Sequence, residues 1–333
     1  IRDSLCSYSK RCHGQHALTE KIHATSISST WAKAMNWGLA RQPSQYPTLI
    51  NYHFNNAITS MKCLDFNRAW PIKVPLMDMN TIKRTGIKAA FEGGKILKSY
   101  FGNISDVRKK GLVDLVTEAD TASEETIIEI IRKAFPEHSI LAEESGLDQE
   151  DMDHQWIIDP LDGTVNFAHQ VPIFSISIAY AFKGTTIMGI VFNPVTGELF
   201  SAVAGEGAVL NNRPIQVSDT RIMQESLLAT GFPYDLLSMF DIVTNRLENC
   251  LRAAQGIRRL GSAAIDICAL ACGRFDGFWE QNLHPWDTAA AVLIALEAGA
   301  VVTDFSDNPF TIDKKEILAT NGKIHAEMLS LLK

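Results

Sequence analysis

Apolar and polar positions along this 333-residue chain follow two different periods, and the predicted elements change where the period changes. Over residues 80–100, Ile82, Ala89, Ala90, Ile96 and Leu97 recur at helical spacing, interrupted by Gly86, Gly93 and Gly94. An interior glycine weakens a helix by up to about 1 kcal/mol, so three of them predict close packing against a neighbour. A second helix has clearer ends: Thr117 and Asp120 form a capping pattern, Ile127, Ile128, Ile131 and Phe135 make one face, and Pro136 stops it. Over 174–182 large apolar residues alternate with small ones, the period-two signature of a strand. Shorter strands are predicted at 139–142, at 156–158 running out to Asp159, at 187–192 and at 198–203. Gly184, Asn193-Pro194 and Gly197 punctuate them as an antiparallel meander.

Beyond about residue 217 the pattern becomes alternating. Helices are predicted at 236–255, 262–272 and 286–298 and at the C-terminus, with strands near Ile257 and at 275–280, 301–304 and 317–321. Alternation of this kind predicts an α/β layer. Residues 1–76 show no such order. They are read as an extension separate from a domain over 77–333: translated upstream sequence or a disordered segment, with an organelle transit peptide as the alternative. Met77 and Met79 are plausible starts of the patterned domain.

Charge separates the same two regions. Residues 1–75 hold nine Lys and Arg against three Asp and Glu, whereas the rest hold 22 against 35. An acidic body argues against sequence-independent nucleic-acid binding, which needs a basic face, and is compatible with acids that hold a cation. The longest apolar run, 173–182, is broken by serines and falls short of the roughly 18 residues of a membrane span. Six cysteines form no CxxC pair, so reduced thiols in a cytoplasmic protein are expected, or in an organelle if the leader is a transit peptide.

Four separated segments place acids at strand ends or helix starts: Asp120; Glu143 and Glu144; Asp159 and Asp162; Glu280 and Asp287. Taken singly, each is an ordinary cap or a solvated strand end. The most informative run is Asp159-Pro160-Leu161-Asp162-Gly163-Thr164. It sets two carboxylates three residues apart and follows them with a helix start, whose backbone N–H groups suit an anion. Acid, metal and phosphate could meet there. Like charges about 4 Å apart repel by roughly 4 kcal/mol per pair at an effective dielectric near 20, so a convergent cluster would need cations. All-oxygen donors favour magnesium, manganese or calcium over zinc or copper.

Together, Leu141-Ala142-Glu143-Glu144-Ser145-Gly146, Asp159-Pro160-Leu161-Asp162-Gly163-Thr164 and His284-Pro285-Trp286-Asp287-Thr288-Ala289 resemble the inositol monophosphatase family, over about 109–319. The resemblance implies a five-layer α-β-α-β-α sandwich and a homodimeric, lithium-sensitive, magnesium-dependent phosphatase with two to three ions per subunit. Its implied substrate is myo-inositol 1-phosphate, with histidinol phosphate, fructose 1,6-bisphosphate or another polyol phosphate as alternatives. A regulatory or nucleic-acid-associated binding protein is the non-enzyme alternative. By position, Glu143, Asp159, the Leu161 carbonyl, Asp162 and Asp287 match metal ligands. Asp120, Thr164 and Glu143 match catalytic positions, with Thr117 assisting. Asp162, Gly163, Thr164, Ala263, Glu280 and Asp287 match substrate contacts. Arg258 and Lys109 are the basic candidates, and His284 is expected to pack or to support a ligand.

Overall fold

The computed structural model describes residues 78–102, 107–109, 115–148, 151–233 and 235–333, with the backbone alone for 107–109 and 115–117. The expectations for residues 1–76 and for the side chains of Lys109 and Thr117 lie outside the described residues.

The described elements form five layers. Helices α1 (Met79–Tyr100) and α2 (Glu118–Ala134) lie on one face of an eight-stranded sheet. That sheet comprises β3 (His138–Ala142), β4 (Gly146–Asp148), β5 (Asp151–Asp162), β6 (Ser175–Phe182), β7 (Thr185–Asn193), β8 (Glu198–Val203), β9 (Gly207–Leu210) and β10 (Arg213–Pro214). Its spatial order is β10-β9-β8-β7-β6-β5-β3-β4, an antiparallel meander from β5 to β10 closed by the parallel pair β3 and β5. A small hairpin, β1 (Val107–Lys109) with β2 (Leu115–Thr117), precedes α2. On the other face of the large sheet lie α5 (Ala263–Ala271) and α6 (Pro285–Glu297). A second sheet follows, ordered β12 (Gly256–Arg258), β11 (Leu227–Thr230), β13 (Gly277–Gln281), β15 (Glu316–Thr320), β14 (Val301–Thr303). Helices α4 (Phe240–Ala253) and α7 (His325–Leu331) cover its far side, and a five-residue helix, α3 (Thr164–Ala168), follows β5. The second sheet is mixed: β11 runs parallel to β12 and β13, while β15 is antiparallel to β13 and β14.

Side-chain size sets the layer spacing. Along β6 the large residues Ile176, Ile178, Tyr180 and Phe182 face α1 and α2, whereas Ala179 and Ala181 face α6. Helix α6 is apolar all round, as a helix between two sheets must be, and Ala289, Ala290 and Ala291 let it approach closely. A Cβ at Gly189 of β7 would stand 2.5 Å from the Ala290 carbonyl oxygen. The glycines of α1 act likewise: a Cβ at Gly94 would meet Phe192 at 2.7 Å and one at Gly86 would meet Ile190 at 2.8 Å. Among the described residues no helix is long and apolar enough to cross a membrane, and Cys250, Cys268 and Cys272 are free thiols.

Candidate active site

The acids converge because the ends of several strands open onto one cavity. Strands β3 and β5 are parallel with Ala142 opposite Ile158, so Glu143, just past the end of β3, lies beside Asp159 of β5. Strand β5 runs to Asp162, past the expected end at Asp159. In a regular strand, residues three apart point to opposite faces. Here Asp159 pairs with Ser177 and Asp162 with Ser175, so β5 carries one residue more than β6 between these pairs, and this bulge lets both acids serve the same side. Pro160 sits in the bulge, where its missing N–H breaks no ladder bond. Asp159 Oδ1 accepts from Leu161 N–H at 2.9 Å, and Thr164 Oγ1 donates to the Leu161 carbonyl at 3.1 Å.

A cavity of about 460 Å³ opens over this bulge, lined by Glu143, Asp162, Gly163, Thr164, Ala263, Glu280 and Asp287 together with Asp266, Arg259, Phe232 and His284. Asp159 and Asp120 are buried beside it, each 1% exposed. Asp162 is held by four donors: it accepts from Ser262 Oγ at 2.5 Å, from Ala264 N–H at 2.9 Å, from Ala263 N–H at 3.2 Å and from Ser175 Oγ at 3.4 Å. Asp287 accepts from the His284 N–H at 2.6 Å, and the His284 ring stacks on Trp286. His284 is half-exposed and supports Asp287 through its backbone. Gly163 holds φ at 102°, a left-handed turn that a side chain would strain. The helix start expected there is five residues long, so α3 offers its N–H groups more than a macrodipole.

Crowding raises the proton affinity of these acids. Burial, then Glu143, Asp162, Asp287 and Asp120, pushes Asp159 well above the carboxylate range. Burial pushes Asp162 up to about 7 against its hydrogen bonds to Ser262, Ala264 and Ala263. Burial, then Asp287 and Asp162, pushes Glu280 up to about 8 while Arg259 opposes it. Such a cluster holds protons unless a cation compensates it. The donors are all oxygen, which fits a hard divalent cation. Among the described residues, however, no three His, Cys, Asp or Glu side chains stand already grouped as a metal-holding set. Two of the acids are engaged by internal donors, Asp162 at the start of α5 and Asp287 at the His284 N–H. Donor chemistry therefore fits the ion, with these two carboxylates directed at internal donors.

Two residues lining the cavity, Asp266 and Arg259, were missed by sequence reasoning. Asp266 is 1% exposed, raised by burial and then by Glu280 and Asp162, and its Oδ1 has no hydrogen-bond partner. The available signal was a lone acid in the apolar run of α5. Arg259 takes the place expected of Arg258, whose exposed guanidinium bonds to the Ile257 carbonyl and does not line the cavity. Adjacent arginines on a strand end point to opposite sides, and sequence alone does not fix which points in. Phe232 lies under the Arg259 guanidinium at 6.0 Å.

Layered architecture and an acid-lined cavity at converging strand ends define a phosphatase-like α/β protein. Residues 78–333 match the Inositol monophosphatase family, and the chain belongs to it. It is 46% identical to the inositol-1-monophosphatase of Synechocystis over 77% of this chain and 90% of that protein. It is 40% identical to the Nus factor SuhB of Pasteurella multocida over 76% of this chain and 96% of that one. The solved extragenic suppressor protein suhB of Bartonella henselae superimposes with a TM-score of 0.74 at 38% identity, over 76% of this chain and 98% of that one. Membership supports phosphatase activity on a phosphorylated substrate, and the family is generally metal-dependent.

Proposed function

We propose that the cavity hydrolyses a polyol phosphate monoester, with myo-inositol 1-phosphate the preferred substrate, by direct attack of water at phosphorus. The observation that carries this reading is the convergence of Glu143, Asp162, Glu280 and Asp287, with Asp159 and Asp120 buried beside them, on a cavity that the Gly163–Thr164 turn also lines. The reaction is demanding, since enzymes that cleave phosphate monoesters reach accelerations of up to about 10²¹-fold. Glu143, Asp159, the Leu161 carbonyl, Asp162 and Asp287 would hold two to three Mg²⁺ ions. Bound Mg²⁺ would supply charge compensation at the phosphoryl oxygens and lower the pKa of water. Asp120 and Thr164, with Glu143, orient the attacking water and take its proton. The N–H groups of Gly163 and Thr164 hold the phosphate, and Asp162, Ala263, Glu280 and Asp287 face the hydroxyls of the leaving alcohol. Homodimerisation, lithium inhibition and a cytoplasmic location belong to the same reading.

Phosphate release measured across a panel of inositol 1-phosphate, histidinol phosphate and fructose 1,6-bisphosphate, with and without Mg²⁺, tests this. Highest catalytic efficiency on inositol 1-phosphate, abolished by chelation, is expected. Turnover that survives complete chelation overturns the reading, and a preference for another ester reassigns the substrate. The relative named a Nus factor supports a second reading, in which the fold serves a regulatory assembly. Absence of turnover on every ester with Mg²⁺ present would favour it.

A further inference from the structure

We propose that Ser123 and Glu124, on the second turn of α2, are positioning residues that brace the two acid-bearing segments of the cavity against each other. This rests on the metal-dependent reading above.

Both side chains are buried, Ser123 at 0% and Glu124 at 4% exposure, on the helix that carries Asp120 in its first turn. The Glu124 carboxylate accepts two consecutive backbone N–H groups, Glu144 N to Oε2 at 2.9 Å and Ser145 N to Oε1 at 2.9 Å. Those are the residues immediately after Glu143. Ser123 Oγ donates to the Pro160 carbonyl at 3.2 Å, inside the bulge between Asp159 and Asp162. Positions i, i+3 and i+4 share one helical face, so Asp120, Ser123 and Glu124 reach three parts of the site from a single rigid element.

A buried carboxylate is costly to leave unbonded. The two bonds from successive amides fix both the place and the tilt of the turn after Glu143, because displacing it strands a buried carboxyl group without its donors. Sequence reading passed over Glu124 because an acid inside a charged helix reads as a solvated face. Supporting bonds around metal-binding side chains are typically worth 10- to 100-fold in metal affinity.

Mn²⁺ binding to the full-length chain, measured by calorimetry with the Mg²⁺ dependence of turnover alongside, tests the proposal. Glu124→Gln keeps the shape and one acceptor but turns an amide NH₂ toward the second N–H. We expect Mn²⁺ affinity to fall about tenfold or more. The Mg²⁺ concentration for half-maximal activity should rise in parallel, kcat at saturating metal should hold within about threefold, and the Glu144 and Ser145 amides should exchange faster. A variant that loses thermal stability yet binds Mn²⁺ as the wild type does overturns the proposal, because that is the signature of a merely structural acid. If Glu124→Gln does not fold, Ser123→Ala decides: Mn²⁺ affinity about threefold weaker supports the brace, and unchanged affinity overturns it. A wild type that binds no Mn²⁺ overturns the metal-dependent reading itself, a result seen before any variant is made.

Discussion

The two ends of strands β5 and β6 treat buried polar groups in opposite ways. Toward one end, Trp156 lies opposite Tyr180 and His154 opposite Phe182, with His138 of β3 stacked on His154 at 4.7 Å. There donors and acceptors match: Trp156 Nε1 donates to His138 Nδ1 at 3.1 Å, and His154 Nδ1 meets the Tyr180 hydroxyl at 2.5 Å. Further along β5, past Ile157 and Ile158, Asp159 and Asp162 face acids of their own sign. One end is a satisfied network that stabilises the sheet; the other keeps an electrostatic imbalance that a ligand can use. Stability and chemistry thus share two strands while resting on different groups.

If that separation holds, Asp159→Asn should have the largest effect, lowering phosphate release by about 10²–10³-fold or more while leaving a folded protein, as single-turnover assays with circular dichroism would show. Next is Gly231→Ala. A Cβ there would fall 2.0–2.2 Å from the Glu280 carboxyl atoms, so the carboxyl must move. Catalytic efficiency should drop by about tenfold, on the order of the worth of one hydrogen bond, with the thermal midpoint nearly unchanged.

The pH response should differ in sign between the two ends. Unfolded, Glu280 ionises near 4.5; folded, it keeps its proton to about 8. Between those values the folded state binds more protons, so its contribution to stability falls as pH rises. His138 behaves conversely: burial, then His154, lowers it from 6.5 to about 4, so the unfolded state binds more protons in that window and stability falls as pH drops. In thermal melts of chelator-treated protein from pH 4 to 8 the raised acids outweigh the one lowered histidine, so stability should fall as pH rises, more steeply above 6.5 where His138 no longer opposes it. Glu280→Gln should lessen that fall without removing it, because Asp159, Asp162 and Asp266 are raised as well; an unchanged pH dependence would end the comparison. The smallest effect on chemistry should come from Trp156→Phe. It should cost about 1 to 3 kcal/mol of stability through the lost bond to His138 and the lost volume, with kcat within about twofold.

Much of this was legible from period and punctuation. The alternation over 174–182 identified β6, and of the paired acids around Pro160, Asp162 lines the cavity while Asp159 is buried beside it. The strands that escaped were short: β1, β2, β4, β9 and β10 hold two to four residues each, too few to establish a period. Strand β11 was hidden because Leu227–Thr230 is buried and carries no polar alternation. The bulge in β5 was illegible for a different reason, since an extra residue is defined by the partner strand. Asp266 and Glu124 escaped because a single acid has the same pattern whether it faces water or a buried amide.

The contact between Gly189 and Ala290 carries a warning for anyone screening this protein by mutagenesis. A methyl group at 189 would push α6 off the sheet, and Asp287, one turn before Ala290, would travel with it. Such a lesion would abolish turnover without touching any reacting atom, and a survey scored by activity alone would enrol a spacer glycine among the chemical groups.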